Sequence, residues 1–181
     1  MRRFILFIPL VIFLGIGVFL FRGLQLDPTE LPSALLDKPM PQFQLTSLYN
    51  AEEMVTEADF KGEPALVNVW ATWCPSCKQE HAQLNSIKAE GYKVIGINYK
   101  DDRQKAQIWL QKYLDPYATN VFDDKGRLGL DLGVYGAPET YVIDAEGVIR
   151  YKHVGVVDEK VWGQLKGIID NLKSGAKVAA Q

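Results

Sequence analysis

The 181-residue sequence has only two cysteines, two histidines and three methionines. A structural zinc site needs four ligands, so it would have to gather both cysteines together with His81 and His153. The cysteines, Cys74 and Cys77, are three apart, too close for a useful staple. A disulfide closing so short a loop constrains the unfolded chain by only about 2 kcal/mol, against about 3 kcal/mol for a 15-residue loop. A CxxCH haem attachment would need histidine at 78, where Lys78 stands. The net charge is −2 and no basic patch marks a nucleic-acid surface. Internal repeats are absent. With 48% apolar and 23% charged residues, the composition is that of a globular chain rather than a disordered one.

Charge is unevenly spread. Residues 1–22 hold three of the 20 basic residues and none of the 22 acidic ones. Between Arg2–Arg3 and Arg22 runs an unbroken apolar stretch, Phe4 to Phe21, of 18 residues. A helix needs roughly 17–25 such residues to cross a bilayer, and Pro9, Gly15 and Gly17 are tolerable there. The rival reading is a cleaved signal peptide, whose apolar region is shorter and ends at a small-x-small site. Phe21 is followed instead by Arg-Gly-Leu-Gln-Leu-Asp. The expectation is a retained anchor over residues 1–22. Arg2 and Arg3 favour a cytoplasmic N-terminus, which places the body across the membrane, in a disulfide-permissive compartment.

Residues 23–40 carry Pro28, Pro32 and Pro39 among polar residues and read as a tether. One domain follows over 41–173, and 174–181 reads as a flexible tail. Pattern predicts strands at Gln42–Leu48, Ala65–Trp70 and Tyr92–Asn98. Helices are predicted from Pro75 to about Glu90, stopped by Gly91, and from an Asp102 cap to before Pro116. Asp123–Gly126 is a turn followed by a short amphipathic segment. Thr140–Ile143 and Val148–Val154 flank a turn at 144–147. Asp158 caps a last helix with Val161, Leu165, Ile168, Ile169 and Leu172 on one stripe. The order β-α-β-α, β-β-α gives an α/β sheet with helices on its faces.

Cys74 therefore closes a buried strand and opens a helix. Helix N-termini present unpaired N–H groups and a partial positive charge. A thiolate is stabilised there, and the thiolate is the reactive species. Pro75 suits the first helical turn, where the missing N–H costs nothing. Cys74 is expected to be the exposed attacker, and Cys77, one turn in, to resolve the mixed disulfide. At about 100° per residue, Glu80 falls between Leu84 and Ile87 on the face that carries Cys77. Burial there should raise its pKa and place it to exchange a proton with Cys77 or to tune the pair. Its rival reading is a glutamate at the stripe's edge, snorkelling to water. His81, at the stripe's border, reads as a surface or packing histidine. Before the strand at 140 lies Gly133-Val134-Tyr135-Gly136-Ala137-Pro138-Glu139, where two glycines and a proline mark special backbone.

The stretch VNVWATWCPSC resembles the active-site stretch of the thioredoxin superfamily, with Trp73 at the aromatic position before the first cysteine. Pro-Ser between the cysteines departs from thioredoxin's own Gly-Pro. Together, the apolar N-terminus, WCPSCKQEH, GINYKD and GVYGAPET resemble the CcmG or DsbE thiol:disulfide interchange proteins of cytochrome c maturation. That resemblance implies a thioredoxin-like fold, a central mixed sheet flanked by helices, after one transmembrane helix. It implies a dedicated reductant in the periplasm, held on the bacterial inner membrane. The substrate would be the haem-binding cysteines of apocytochrome c, or a maturation thiol protein in mixed disulfide with them. A transmembrane thiol reductant would recharge it. No cofactor and no metal beyond the redox-active Cys74–Cys77 pair is implied. Glu80 becomes the buried acid. Pro138 matches a cis proline facing the CxxC, and Trp73, Pro75, Pro138 and Glu139 are placed in the substrate groove, with Glu139 selecting partners. The same CxxC chemistry would serve a disulfide oxidase or isomerase, since potential sets direction. A tethered, non-enzymatic chaperone or adaptor is the reading from another class.

Overall fold

The computed structural model describes residues 7–24 and 35–175. They fall into two units, divided between Leu31 and Pro32. In the first, α1 (Ile8–Leu24) is a 17-residue helix. Its large apolar side chains are exposed, Phe13 at 73% and Phe19 at 77% among them. No helix among the described residues is long and apolar enough to cross a membrane. The first six residues of the expected anchor lie outside the described residues.

The second unit is an α/β domain. Its elements are β1 (Gln44–Ser47), β2 (Met54–Thr56), a 3-10 turn (Glu57–Phe60), β3 (Ala65–Trp70), α2 (Pro75–Ala89), β4 (Lys93–Tyr99) and α3 (Arg103–Tyr113). They continue with β5 (Thr119–Asp123), α4 (Arg127–Asp131), β6 (Glu139–Ile143), β7 (Ile149–Val154) and α5 (Glu159–Lys173). One sheet runs β2-β1-β5-β4-β3-β6-β7. The β3–β4 and β4–β5 pairs are parallel, and every other pair is antiparallel. A mixed sheet of this kind is covered on both faces, so β3 reads as a continuous buried run. Its side chains alternate between two cores. Leu66 and Trp70 join Leu84 and Ile87 of α2, Leu110 of α3, and Leu165 and Ile169 of α5. Val67 and Val69 face Phe60, Leu128 of α4 and Tyr141 of β6.

The helices begin and end where the sequence signals them. Asp102 and Asp158 accept hydrogen bonds from the Lys105 and Val161 amides at the N-termini of α3 and α5. Gly91, at φ +88°, follows α2 in a conformation that glycine adopts without strain. The hairpin turn closes with the Gly147 N–H on the Asp144 carbonyl.

Three expectations are corrected. The sequence pattern omits strands β2 and β5, and β5 lies between β4, to which it is parallel, and β1, to which it is antiparallel. The tether does not extend to residue 40. Leu35 and Leu36 pack on the core, Met40 is buried, and the Asp37 N–H and Lys38 carbonyl bond to Ile149 of β7. The domain is thus assembled from residue 35. At the other end, Ser174 and Gly175 still bond to α5, and the remainder of the expected tail lies outside the described residues.

Candidate functional site: the Cys74–Cys77 pair

Cys74 sits at the N-cap of α2, directly after the turn that leaves β3, and Pro75 occupies the first helical position. The two cysteines form a disulfide. The Cys77 N–H points at Cys74 Sγ from 3.0 Å, so the sulfur lies against the open amides of the helix start. Across from it, Cys74 Sγ is 3.3 Å from the Ala137 carbonyl oxygen. The Ala137–Pro138 peptide is cis, as the resemblance implied for Pro138. The expectation of an exposed Cys74 needs correcting. With the Ala137 carbonyl over it, Cys74 is 4% exposed, hardly more than Cys77 at 2%. Trp73 is the open neighbour, 54% exposed, and its indole N–H donates to the Lys100 carbonyl at 3.0 Å. The turn ahead of Cys74 is clamped by Asp101, whose carboxylate accepts from the Thr72 N–H at 2.5 Å and from the Thr72 hydroxyl at 2.6 Å.

One turn into α2, Glu80 is 1% exposed. Its Oε1 accepts from Asn68 Nδ2 at 2.9 Å and its Oε2 from the Val157 N–H at 2.9 Å. Burial dominates these two bonds and pushes the carboxyl up to about 7. The snorkelling reading of Glu80 is therefore wrong. Asn68 is the lone polar residue inside β3. It also donates to Thr140 Oγ1, its registered partner on β6, and accepts from the Tyr117 hydroxyl. Tyr117 is buried, which raises its phenol. Sequence reasoning missed Asn68, Thr140 and Tyr117. The signal for Asn68 was available, because one amide in an otherwise apolar strand must find buried partners. Nothing local marks Tyr117.

His81 is a packing residue. It is 4% exposed, sits edge-on to Trp109 with centroids 4.3 Å apart, and its Nε2 lies 2.6 Å from the Leu114 carbonyl. Burial lowers its pKa. His153 on β7 pairs with Thr140 of β6, and its ring contacts the Val156 carbonyl. Among the described residues, no group of three or more His, Cys, Asp or Glu side chains is placed to hold a metal.

Glu139 departs most from expectation. It begins β6 in register with Val69, on the opposite sheet face from Asn68 and Glu80. It is fully buried. Its carboxylate accepts from the Tyr135 N–H at 2.7 Å and the Tyr141 hydroxyl at 3.0 Å, and pairs with Lys152 Nζ at 2.9 Å. A carboxylate so enclosed does not face a groove and cannot select a partner by contact. Alternation along β6 explains the outcome. With Thr140 committed to the Asn68 side, Glu139 must point to the other.

A strand–CxxC–helix site under a cis-proline loop, on a mixed sheet with helices on both faces, defines a thioredoxin-like thiol–disulfide oxidoreductase. The Redoxin family model matches residues 35–167. Relatives named "Thiol:disulfide interchange protein DsbE" include one from Pseudomonas aeruginosa, 59% identical over 162 residues, covering 90% of each chain. Another, from Escherichia coli strain K12, is 53% identical over 169 residues, covering 90% of this chain and 91% of its own. The chain belongs to the DsbE family of thiol:disulfide interchange proteins. A solved structure of a DsbE protein of Chlorobium tepidum superposes with a TM-score of 0.62 at 25% identity, covering 79% of this chain and 99% of that one. A secreted thiol-disulfide isomerase of Corynebacterium glutamicum, TM-score 0.66 and 24% identical over 82% of this chain and 96% of its own, shares the fold.

Proposed function

We propose that this oxidoreductase is a dedicated reductant of cytochrome c biogenesis. Its substrate is the haem-binding cysteine pair of apocytochrome c, or a mixed disulfide between that pair and a maturation thiol protein. The observation that carries this reading is the Cys74–Cys77 pair above a buried, high-pKa Glu80, in a chain that also carries the GVYGAPE loop of the cytochrome c maturation family.

The residues then take the following roles. In the reduced chain the Cys74 thiolate, held at the start of α2, attacks one sulfur of the partner's disulfide. A Cys74–partner bond forms, the partner's S–S bond breaks, and its other sulfur leaves as a thiolate and takes a proton. Cys77 then gives up its proton, for which Glu80, one turn along α2 and titrating near neutrality, is the acceptor. Cys77 attacks Cys74 Sγ, the internal disulfide forms, and the partner's second sulfur leaves. The partner gains two electrons and two protons. A transmembrane thiol reductant restores the pair by the reverse exchange. Trp73, Pro75 and the Ala137–Pro138 backbone form the surface against which the partner lies.

The same proposal sets the chain on the bacterial inner membrane with its domain in the periplasm. It is supported by the exposed apolar side chains of α1, by the further apolar residues from Phe4 that precede it, and by the flanking arginines. A cell lacking the chain should lose mature c-type cytochromes, regain them with added external thiol reductant, and keep its other disulfide-bonded proteins normal. Activity on an unrelated disulfide such as insulin should be weak. Normal c-type cytochromes alongside faulty unrelated disulfides would favour the oxidase or isomerase reading. Function retained after both cysteines are replaced would favour the adaptor.

A further inference from the structure

The loop that lies over Cys74 is fastened from behind by a buried ion pair that takes no part in the exchange chemistry. Lys152 on β7 is registered opposite Tyr141 on β6, so its side chain shares a sheet face with Tyr141 and Glu139. The pair is enclosed, with the Lys152 side chain 4% and the Glu139 side chain 0% exposed. Each partner reaches the loop. Glu139 Oε1 accepts from the Tyr135 N–H at 2.7 Å and the Gly136 N–H at 3.4 Å. Lys152 Nζ donates to the Gly133 carbonyl at 2.8 Å and lies 4.9 Å from the centre of the Tyr135 ring. Tyr135 itself is 76% exposed. One residue beyond Gly136, the Ala137 carbonyl meets Cys74 Sγ at 3.3 Å. The pair thus holds the loop at Gly133, Tyr135 and Gly136, between backbone bonds that anchor its ends, from the Gly133 and Val134 N–H groups to the Leu130 and Gly129 carbonyls and from the Gly155 N–H to the Pro138 carbonyl.

We propose that Lys152 is a positioning residue for thiol–disulfide exchange. By neutralising Glu139 and holding the Gly133 carbonyl, it fixes the Gly133–Pro138 backbone at the distance from Cys74 that a peptide-borne disulfide requires. It acts through Glu139 and the loop, and it touches neither sulfur. A small disulfide that docks on no backbone does not depend on it. The inference rests on the exchange activity and not on the identity of the physiological partner.

The test uses the full chain in mild detergent, reduced beforehand. Two probes are compared: a short peptide closed by its own Cys-x-x-Cys disulfide, and hydroxyethyl disulfide. Lys152→Met should slow exchange with the peptide by roughly tenfold to a hundredfold, the scale of a sub-ångström to ångström misplacement. Exchange with hydroxyethyl disulfide and the reduction potential of the pair should stay near wild type. Glu139→Gln combined with Lys152→Met removes both charges but keeps an acceptor for the loop amides, and it should recover part of the peptide rate, the remaining loss reflecting the missing Lys152 contact with the Gly133 carbonyl. Should Lys152→Met fail to fold, the comparison is Glu139→Gln alone, with an uncompensated buried ammonium, against the double variant. The single variant should be the slower on the peptide. The proposal is overturned by an equal loss on both probes, by no loss on the peptide, or by a double variant no faster than the single ones. A wild-type chain that reacts no faster with the peptide than with hydroxyethyl disulfide overturns it too, because the loop then contributes nothing to selection.

Discussion

Glu80 is the residue whose environment and chemistry are most tightly linked. Burial raises its carboxyl to about 7 from an ordinary 4.5. Between those values the folded chain binds the proton more tightly than the unfolded one. Its contribution to stability is therefore complete below about 4.5 and is lost as pH rises toward 7, on the order of 3 kcal/mol in all. Urea titrations of the oxidised chain at several pH values should show this fall, and Glu80→Gln should flatten it. A slope unchanged in the variant would place the titration elsewhere. At the cysteines, Cys77→Ala should accumulate mixed disulfides with partners, because Cys74 at the helix start is the proposed attacker and nothing then resolves the bond. Non-reducing gels should show such adducts with Cys77→Ala and not with Cys74→Ala, and adducts confined to the latter would reverse the roles. Both cysteines, Glu80 and Pro138 were legible in the sequence, because spacing, a helical stripe and a proline before a strand leave local marks. Glu139 was misplaced for the opposite reason. Its direction depends on which face of β6 Thr140 takes, and that is decided by Asn68, 72 residues from Thr140.

Among the elements, β5 shows why part of the sheet was missed. Its five residues, Thr-Asn-Val-Phe-Asp, include two polar side chains that the fold buries. Asn120 accepts from the Trp70 indole, and Asp123 accepts from the Arg127 and Gly129 amides at the start of α4. In a linear reading those residues mark a loop, and only the partners supplied by β3 and α4 make them strand residues. Strand β4 is tied to β5 with little tolerance. A side chain at Gly96 would place its Cβ 2.6 Å from Asn120 Oδ1 and 2.9 Å from Tyr117 Cγ. Gly96→Ala should therefore cost about 1–3 kcal/mol in urea unfolding. Displacement of Tyr117 loosens the Asn68 amide that holds Glu80, so the variant should also shift the Glu80 titration seen by carboxyl infrared absorption. An unperturbed titration would mean that Tyr117 does not orient Asn68.

For the whole molecule, the two-unit division predicts that the domain folds without α1. Deleting residues up to Gln25 should leave a monomeric, redox-active domain whose disulfide cycles normally, as thiol counting would record. Mass spectrometry of the mature chain should find residues 4–21 retained, and a mature N-terminus beyond residue 22 would refute the anchor. Where the cut is made matters more than the sequence suggests. Strand β7 is the last in the sheet, with β6 on one side only. Near its start the other side is occupied by residues 37–39. The Asp37 N–H bonds to the Ile149 carbonyl, the Ile149 N–H to the Lys38 carbonyl, and Arg150 pairs with Asp37 at 2.7 Å. An unpaired edge is a template for strands from other chains. A fragment begun at residue 41 strips that cover and leaves Ile149 bare at the rim. Such a fragment should self-associate as its concentration rises, through edge-to-edge strand addition, whereas one begun at residue 26 should stay single under light scattering. Asp37 and Lys38 thus act as the cap of an otherwise open sheet edge.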